Sequence, residues 1–432
     1  MRHVHLTAMT TIVLASTVLG GCGFLKSLVG KNSVDLSDAQ MQKMDAGLRK
    51  QDATICPREK IQMVVTADVL LKGDKAAKKL ETFEGGANAN KNDKMEFRDF
   101  TFATNLGQFD QFGFLTPNQD VLASTDKEFE VVTAYKREPT KFNVTHKYKP
   151  SYDCIKNAGV GGTAGNDGQD GSSGGAGQQG QYGGADSVGG RGGSGGPGNP
   201  GGAGGDGGAG PNVVAFATIV KTPFYDKLVA IRVSGDTEDF VLVPMDHPIT
   251  IRANGGAGGS GGAGGAGGSG GSGGAGAAGG DGGSGGLGGQ GGSGGRGGPG
   301  GGIELTFDPA YPELANQIKL DASGGEAGEA GPQGNGGSAG SAGTATQQGG
   351  TAGSAGTQGP NGAQGSAGQA GPNGHVNAHP GKVADKFAGL NGIALLDAPA
   401  GSAPAEDVAP TPAKTKKHKK SGAAATGAKS AP

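Results

Sequence analysis

The sequence predicts a mainly β chain in which short strands are interrupted by glycine rods of period three. Three observations carry this expectation. First, 94 of the 432 residues are glycine. From Gly255 to Gly302 a glycine opens each of sixteen triplets, and the second place is also glycine except at Ala277. A period of three is neither the 3.6 of an α-helix nor the 2 of a strand. It is the period of polyproline II, which rises about 3.1 Å per residue. Second, the segments between glycine runs are short, rich in β-branched residues and bounded by turn signals. Third, aromatic residues make up only 5% of the chain and tryptophan is absent. Core-forming material is therefore confined to about 35–155, 213–253 and 303–322.

The elements follow in order. Ser37-Asp38-Ala39-Gln40 has the form of a capping box, and Met41, Met44 and Leu48 follow at helical spacing. This predicts a short amphipathic helix over about 38–50. From Cys56 the pattern turns β. Ile61 to Leu71 reads as a strand. Lys75 to Glu84 reads as a helical turn or loop, and Gly85 to Asp93 as a polar loop. Phe97 to Thr104 reads as a strand with Phe100 and Phe102 on one face. Phe109 to Leu115 is a short strand or turn. Glu128 to Arg137 and Phe142 to Tyr148 alternate, with Val131, Thr133 and Tyr135 opposite Val132 and Ala134. Strands at this spacing predict a β-sandwich over 37–157, of immunoglobulin-like architecture but without the strand-C tryptophan. Further strands are expected at about 213–220, 227–233, 239–243, 248–253, 303–307 and 318–321.

The chain thus divides into 1–21 (signal peptide), 22–36 (tether), 37–157 (N-terminal sandwich) and 158–212 (first glycine run). A β unit follows at 213–254, then the Gly-Gly-X run at 255–302 and a β segment at 303–323. A collagen-like run at 324–374 and a short apolar cluster at 375–398 precede an Ala/Pro/Lys tail at 399–432, read as disordered. The second run leaves the strand Ile249–Ala253 and returns into Ile303–Phe307. These two are expected to pair antiparallel, holding the ends of the run together so that it folds back on itself. The three runs have similar lengths, which suits rods packed side by side.

Arg2 and the short apolar stretch Leu6 to Val18 have the form of a signal peptide, too short to span a bilayer. It ends in Leu19-Gly20-Gly21-Cys22, which resembles the bacterial lipobox. The resemblance implies cleavage before Cys22 and acylation of that cysteine, hence a membrane anchor. Gly23 in place of Asp favours the outer membrane, by resemblance to lipoprotein sorting in enteric bacteria. Cys56 and Cys154 then remain. In an oxidising compartment two leftover cysteines either form a disulfide, the favoured reading, or stay as buried thiols.

Glycine at every third position is collagen-like, yet the second run has one proline, Pro299, too few to prestiffen a collagen chain. The Gly-Gly-X form instead resembles the polyglycine II bundles of the snow flea antifreeze protein and of certain phage tail-tip adhesins. There, bare glycine faces let backbones approach closely while the third residue points outward. A disordered linker and an intermolecular triple helix remain as alternatives, with a monomer favoured over a collagen-type trimer.

No catalytic constellation, cofactor motif or metal set emerges. Asn166-Asp167-Gly168 and Gln169-Asp170-Gly171 hint at calcium turns, but the calcium nonapeptide repeat is absent. His375 and His379 stand four apart with Pro380 following and no third ligand nearby. Lys414, Lys416, Lys417, Lys419 and Lys420 read as part of a solvated tail. The net charge of −2 gives no reason to expect specific nucleic-acid binding. The expectation is a non-enzymatic, lipid-anchored surface protein in which glycine rods space or present a surface. A ligand-binding sandwich on a stalk, for a surface polysaccharide or protein, and an ice-binding surface are the alternatives.

Overall fold

The computed structural model describes residues 33–50 and 54–396. The expected signal peptide, Cys22, most of the expected tether and the Ala/Pro/Lys tail lie outside the described residues. The described chain is mainly β, with two one-turn α-helices and two 3₁₀ turns at Phe97–Asp99 and Val121–Ser124.

The N-terminal unit holds nine strands: β1 (Gln40–Leu48), β2 (Thr54–Ile55), β3 (Ile61–Leu70), β4 (Lys78–Glu81), β5 (Phe100–Thr104), β6 (Gly107–Phe109), β7 (Phe114–Pro117), β8 (Phe129–Tyr135) and β9 (Asn143–Pro150). One sheet runs β1-β3-β7-β6 with β4 also on β3, and the other runs β2-β9-β8-β5. Apolar side chains of both meet: Met41, Val65 and Val69 cluster with Phe100, Tyr135 and Phe142. On β8 the alternation places Phe129, Val131, Thr133 and Tyr135 inward.

Two expectations fail here. The segment 38–50 is not a helix but strand β1, paired antiparallel with β3 from Gln40 opposite Leu70 to Leu48 opposite Met63. A register shift between Met41 and Lys43 explains the misreading. The extra residue breaks the period of two, so apolar residues at 41, 44 and 48 imitate a helical spacing. Sheet pairing outweighs a weak local helix propensity. Likewise Lys75 to Glu84 contains β4, whose partner is the same long β3.

The second unit contains β10 (Asn157–Gly159), β11 (Val213–Lys221), β12 (Leu228–Gly235), β13 (Asp239–Pro244), β14 (Ile249–Arg252), β15 (Ile303–Phe307), α1 (Leu314–Gln317), β16 (Ile318–Asp321), β17 (Val376–Pro380), α2 (Ala384–Phe387) and β18 (Ala394–Leu395). The strands expected at 213–220, 227–233, 239–243, 248–253, 303–307 and 318–321 are all present within a residue or two. Their pairing differs from expectation. Ile249–Ala253 and Ile303–Phe307 are not antiparallel neighbours. Instead β14 pairs parallel with β10 and β16, while β15 pairs parallel with β11 and β17. The physical reason is repetition. Three successive segments each leave one sheet and return into the other, so equivalent strands stack in parallel. Ala158, Ile249, Ile251, Val213, Ile303 and Leu305 fill the core they share. β12 and β13 extend the second sheet beyond β11 as an antiparallel meander, and β18 pairs with the far end of β11.

Candidate functional site

Each glycine run turns back once, which makes six rods: rod 1 (160–183), rod 2 (189–210), rod 3 (255–276), rod 4 (279–301), rod 5 (324–343) and rod 6 (350–374). Rods 1, 3 and 5 continue from β10, β14 and β16. Rods 2, 4 and 6 lead into β11, β15 and β17. The two sheets therefore extend into two layers of three parallel rods. At about 3.1 Å per residue each rod reaches about 65 Å from the sheets. The turns use Gly184 and Gly349 at positive φ, a conformation glycine adopts without steric penalty.

Backbone hydrogen bonds tie the layers together with a period of three. Within one layer, the Gly165 N–H donates to Ala257 O at 2.8 Å and the Gly258 N–H to Glu326 O at 2.9 Å. Within the other, Gly192 donates to Asp281 O and Gly282 to Ser354 O, both at 2.8 Å. Across the layers rods run antiparallel: Gly193 donates to Gln178 O at 2.7 Å, Gly256 to Gly208 O at 2.8 Å, Gly283 to Gly271 O at 2.8 Å and Gly356 to Gly340 O at 2.9 Å. Every bond recurs three residues further along, so one face of each rod meets one neighbour.

The glycine count in each triplet follows from this network. In rods 2, 3 and 4 two residues per triplet donate to neighbouring rods, and these rods read Gly-Gly-X. In rods 1 and 6 one residue per triplet donates, and these rods carry one obligatory glycine. A Cβ built on Gly268 would lie 1.9 Å from Gly175 O, and one on Gly283 2.0 Å from Gly193 O. No side chain fits there. The face of rod 2 toward rod 1 is looser: a Cβ on Gly193 would lie 3.0 Å from Gln178 N. That same frame admits Asn199, whose Nδ2 donates to Ser172 Oγ at 2.7 Å. Gly175, in an outward frame, has nothing within 4 Å.

Outward side chains also serve the network. Asp167 and Asp170 each accept a backbone N–H from rod 3, those of Ser260 and Ala263, at 2.8 Å. The two carboxylates thus stitch rod 1 to rod 3. On the other layer Asp206 accepts the Arg296 N–H at 2.7 Å and Asp281 the Ser354 N–H at 2.8 Å. These two roles were not foreseen. The available signal was an Asp in an otherwise variable third position.

Cys56 and Cys154 form a disulfide, with Cα atoms 6.2 Å apart. It ties the loop after β2 to the segment entering β10, where the N-terminal unit meets the sheets below the rods. Arg58 reinforces that junction, with Nη2 2.5 Å from Asp239 Oδ1. The second Asp239 oxygen accepts the Gly159 N–H at 3.0 Å. Nearby, Tyr225 donates its hydroxyl to Pro150 O at 2.8 Å. Burial pushes the phenols of Tyr152 and Tyr225 above their ordinary range, so both stay neutral. A polar cleft of about 630 Å³ borders the disulfide, lined by Lys50, Arg58, Glu59, Asp153 and Lys156 among others.

His375 and His379 do not converge on a metal set, and no group of three metal-ligating side chains occurs among the described residues. His379 instead joins a cross-strand row, with Nε2 3.2 Å from Thr306 Oγ1 and Nδ1 3.4 Å from Glu304 Oε1. This hydroxyl–imidazole–carboxylate row lies on an open sheet face, and Glu304 also accepts from Asn377 at 2.7 Å. The row is a polar ladder between the paired strands β15 and β17. No protein-family model, curated protein or solved structure matches the chain.

Proposed function

We propose that the chain is a lipid-anchored bacterial surface protein whose glycine rods form a polyglycine II bundle that spaces or presents a surface. The observation that carries this reading is the two-layer network of glycine N–H bonds, in which nearly all side chains stand on the outside. Such a bundle offers flat faces and no interior for a substrate. The N-terminal unit acts in this reading as an immunoglobulin-like β-sandwich between the anchor and the bundle. Cys22 supplies the anchor, and the outer membrane is the proposed location. Fractionation of cells expressing the full chain tests it. The native protein is expected with the membranes and with acyl mass on Cys22, and the Cys22→Ala variant is expected free of them. Equal partitioning of both would overturn the anchoring. The cleft beside Cys56 and Cys154 favours a second reading, in which the N-terminal unit binds a polysaccharide or protein and the rods are its stalk.

A further inference from the structure

The outer face formed by rods 2, 4 and 6 carries a charge pattern that is complementary to itself. Hydrogen bonds fix the rows across this layer. Gly192 bonds Asp281 O, Gly282 bonds Ser354 O, and the Arg296 N–H bonds Asp206. Near the turns, one row therefore holds Arg191, Asp281 and Ser354. Near the sheets, another holds Asp206, Arg296 and Gln369. Both rods separate their two charges by fifteen residues, and rod 4 carries them in the reverse order to rod 2. Arg191, Asp206, Asp281 and Arg296 are all exposed. Midway lie Pro197, Pro200, Leu287 and Pro360, with Leu287 50% exposed. The remaining outward residues are mostly small.

We infer that this face docks against the same face of a second copy, with the rods of the two copies antiparallel. A twofold axis across the rods, between Leu287 and Gln290, brings each rod over its own counterpart with its ends exchanged. Arg191 then faces the second copy's Asp206, and Asp281 faces its Arg296, four cross-pairs in all by symmetry. A twofold axis along the rods would instead set Arg296 over Arg296 and Asp281 over Asp281, which repel. The apolar residues meet at the centre in either case, so charge selects the antiparallel mode. The face measures about 65 Å by about 15 Å, taking polyproline II rise and strand-like spacing, or about 950 Å² per copy. A standard stable interface needs about 800 Å² per partner. The opposite face lacks this property: Asp167, Asp170, Glu326 and Glu329 all lie toward its sheet end with no outward cation to answer them. The antiparallel docking rests on the row register of the bundle and not on the lipid anchor.

Charge exchange between two full-length chains tests it. Analytical ultracentrifugation of the Cys22→Ala chain should show a dimer. The added substitution Arg296→Asp, or separately Asp281→Arg, should weaken self-association at least tenfold. An equimolar mixture of the two variants should associate again, within about threefold of the parent, because each variant carries one sign on rod 4. Circular dichroism of each variant alone should match the parent. A parent chain that is monomeric to about 100 μM, or a mixture that fails to associate, would overturn the inference.

Discussion

The N-terminal unit and the rod bundle solve the folding problem by opposite means. The first buries large side chains: Phe83, Phe129, Met63, Met95 and Leu115 are all essentially inaccessible. The second buries almost no side chains. Its interior is backbone, and its specificity lies in where side chains are absent. Fixing one residue costs about 1–2 kcal/mol, with glycine at the high end. A hydrogen bond returns only about 0.5–1.5 kcal/mol. Freestanding glycine rods are therefore marginal. Here the two sheets hold the ends of the rods, and their shared apolar core includes Ile249, Ile251, Ile303 and Leu305. A glycine run becomes structure where its ends are held by a packed core.

Single glycines separate the two regions most sharply. Gly268→Ala sets a methyl against Gly175 O and is expected to cost about 4 kcal/mol or more, since two backbones must separate. Gly175→Ala, in open space, is expected to be neutral or to stabilise by up to about 1 kcal/mol. Thermal melts of the pair check this, and equal effects would show that the rods are not packed this way. The next largest effect tests the coupling. Ile251→Ala removes a buried side chain below rod 3 and is expected to cost about 2–5 kcal/mol. The polyproline II signal should fall in the same transition as the β signal, and rods that melt separately would contradict the shared register.

The disulfide belongs to the other region. Cys56→Ser with Cys154→Ser opens a loop of sequence separation 98 and is expected to cost about 2–4 kcal/mol, against a chain-entropy ceiling of about 4.7 kcal/mol. Denaturant melts should show the loss in the N-terminal unit and at its junction, with the rod turns unaffected. The smallest effect is a pH dependence. The Lys94 ammonium, 2.6 Å from Glu81, holds that carboxyl below its ordinary range. A depressed folded-state pKa contributes stability above the unfolded value of about 4.3 that is lost as pH falls through the folded pKa. Lys94→Ala should therefore cost at most about 1 kcal/mol at pH 7 and nothing in strong acid. An undiminished cost in acid would assign the effect to packing.

Much of the second unit was legible. Ile303–Phe307 and Ile318–Asp321 stand between glycine runs, where no neighbouring pattern competes. Their pairing was not legible, because three equivalent segments must be compared before parallel stacking becomes visible. In the N-terminal unit, the register shift after Met41 hid β1 behind a helical spacing. The disulfide followed from counting cysteines. The inter-rod roles of Asp206 and Asp281 depend on which rods are neighbours, which a single run does not reveal.

Amide hydrogen exchange reads the bonding period of the rods residue by residue. If neighbour contacts dictate glycine spacing, rods 3 and 4 should protect both glycine amides of each triplet, as at Gly264 and Gly265, while most third-position amides exchange freely. Rods 1 and 6 should protect one amide in three, as at Gly168 and Gly365. Uniform fast exchange through all six rods, or protection without a period of three, would show that neighbour contacts do not dictate the spacing.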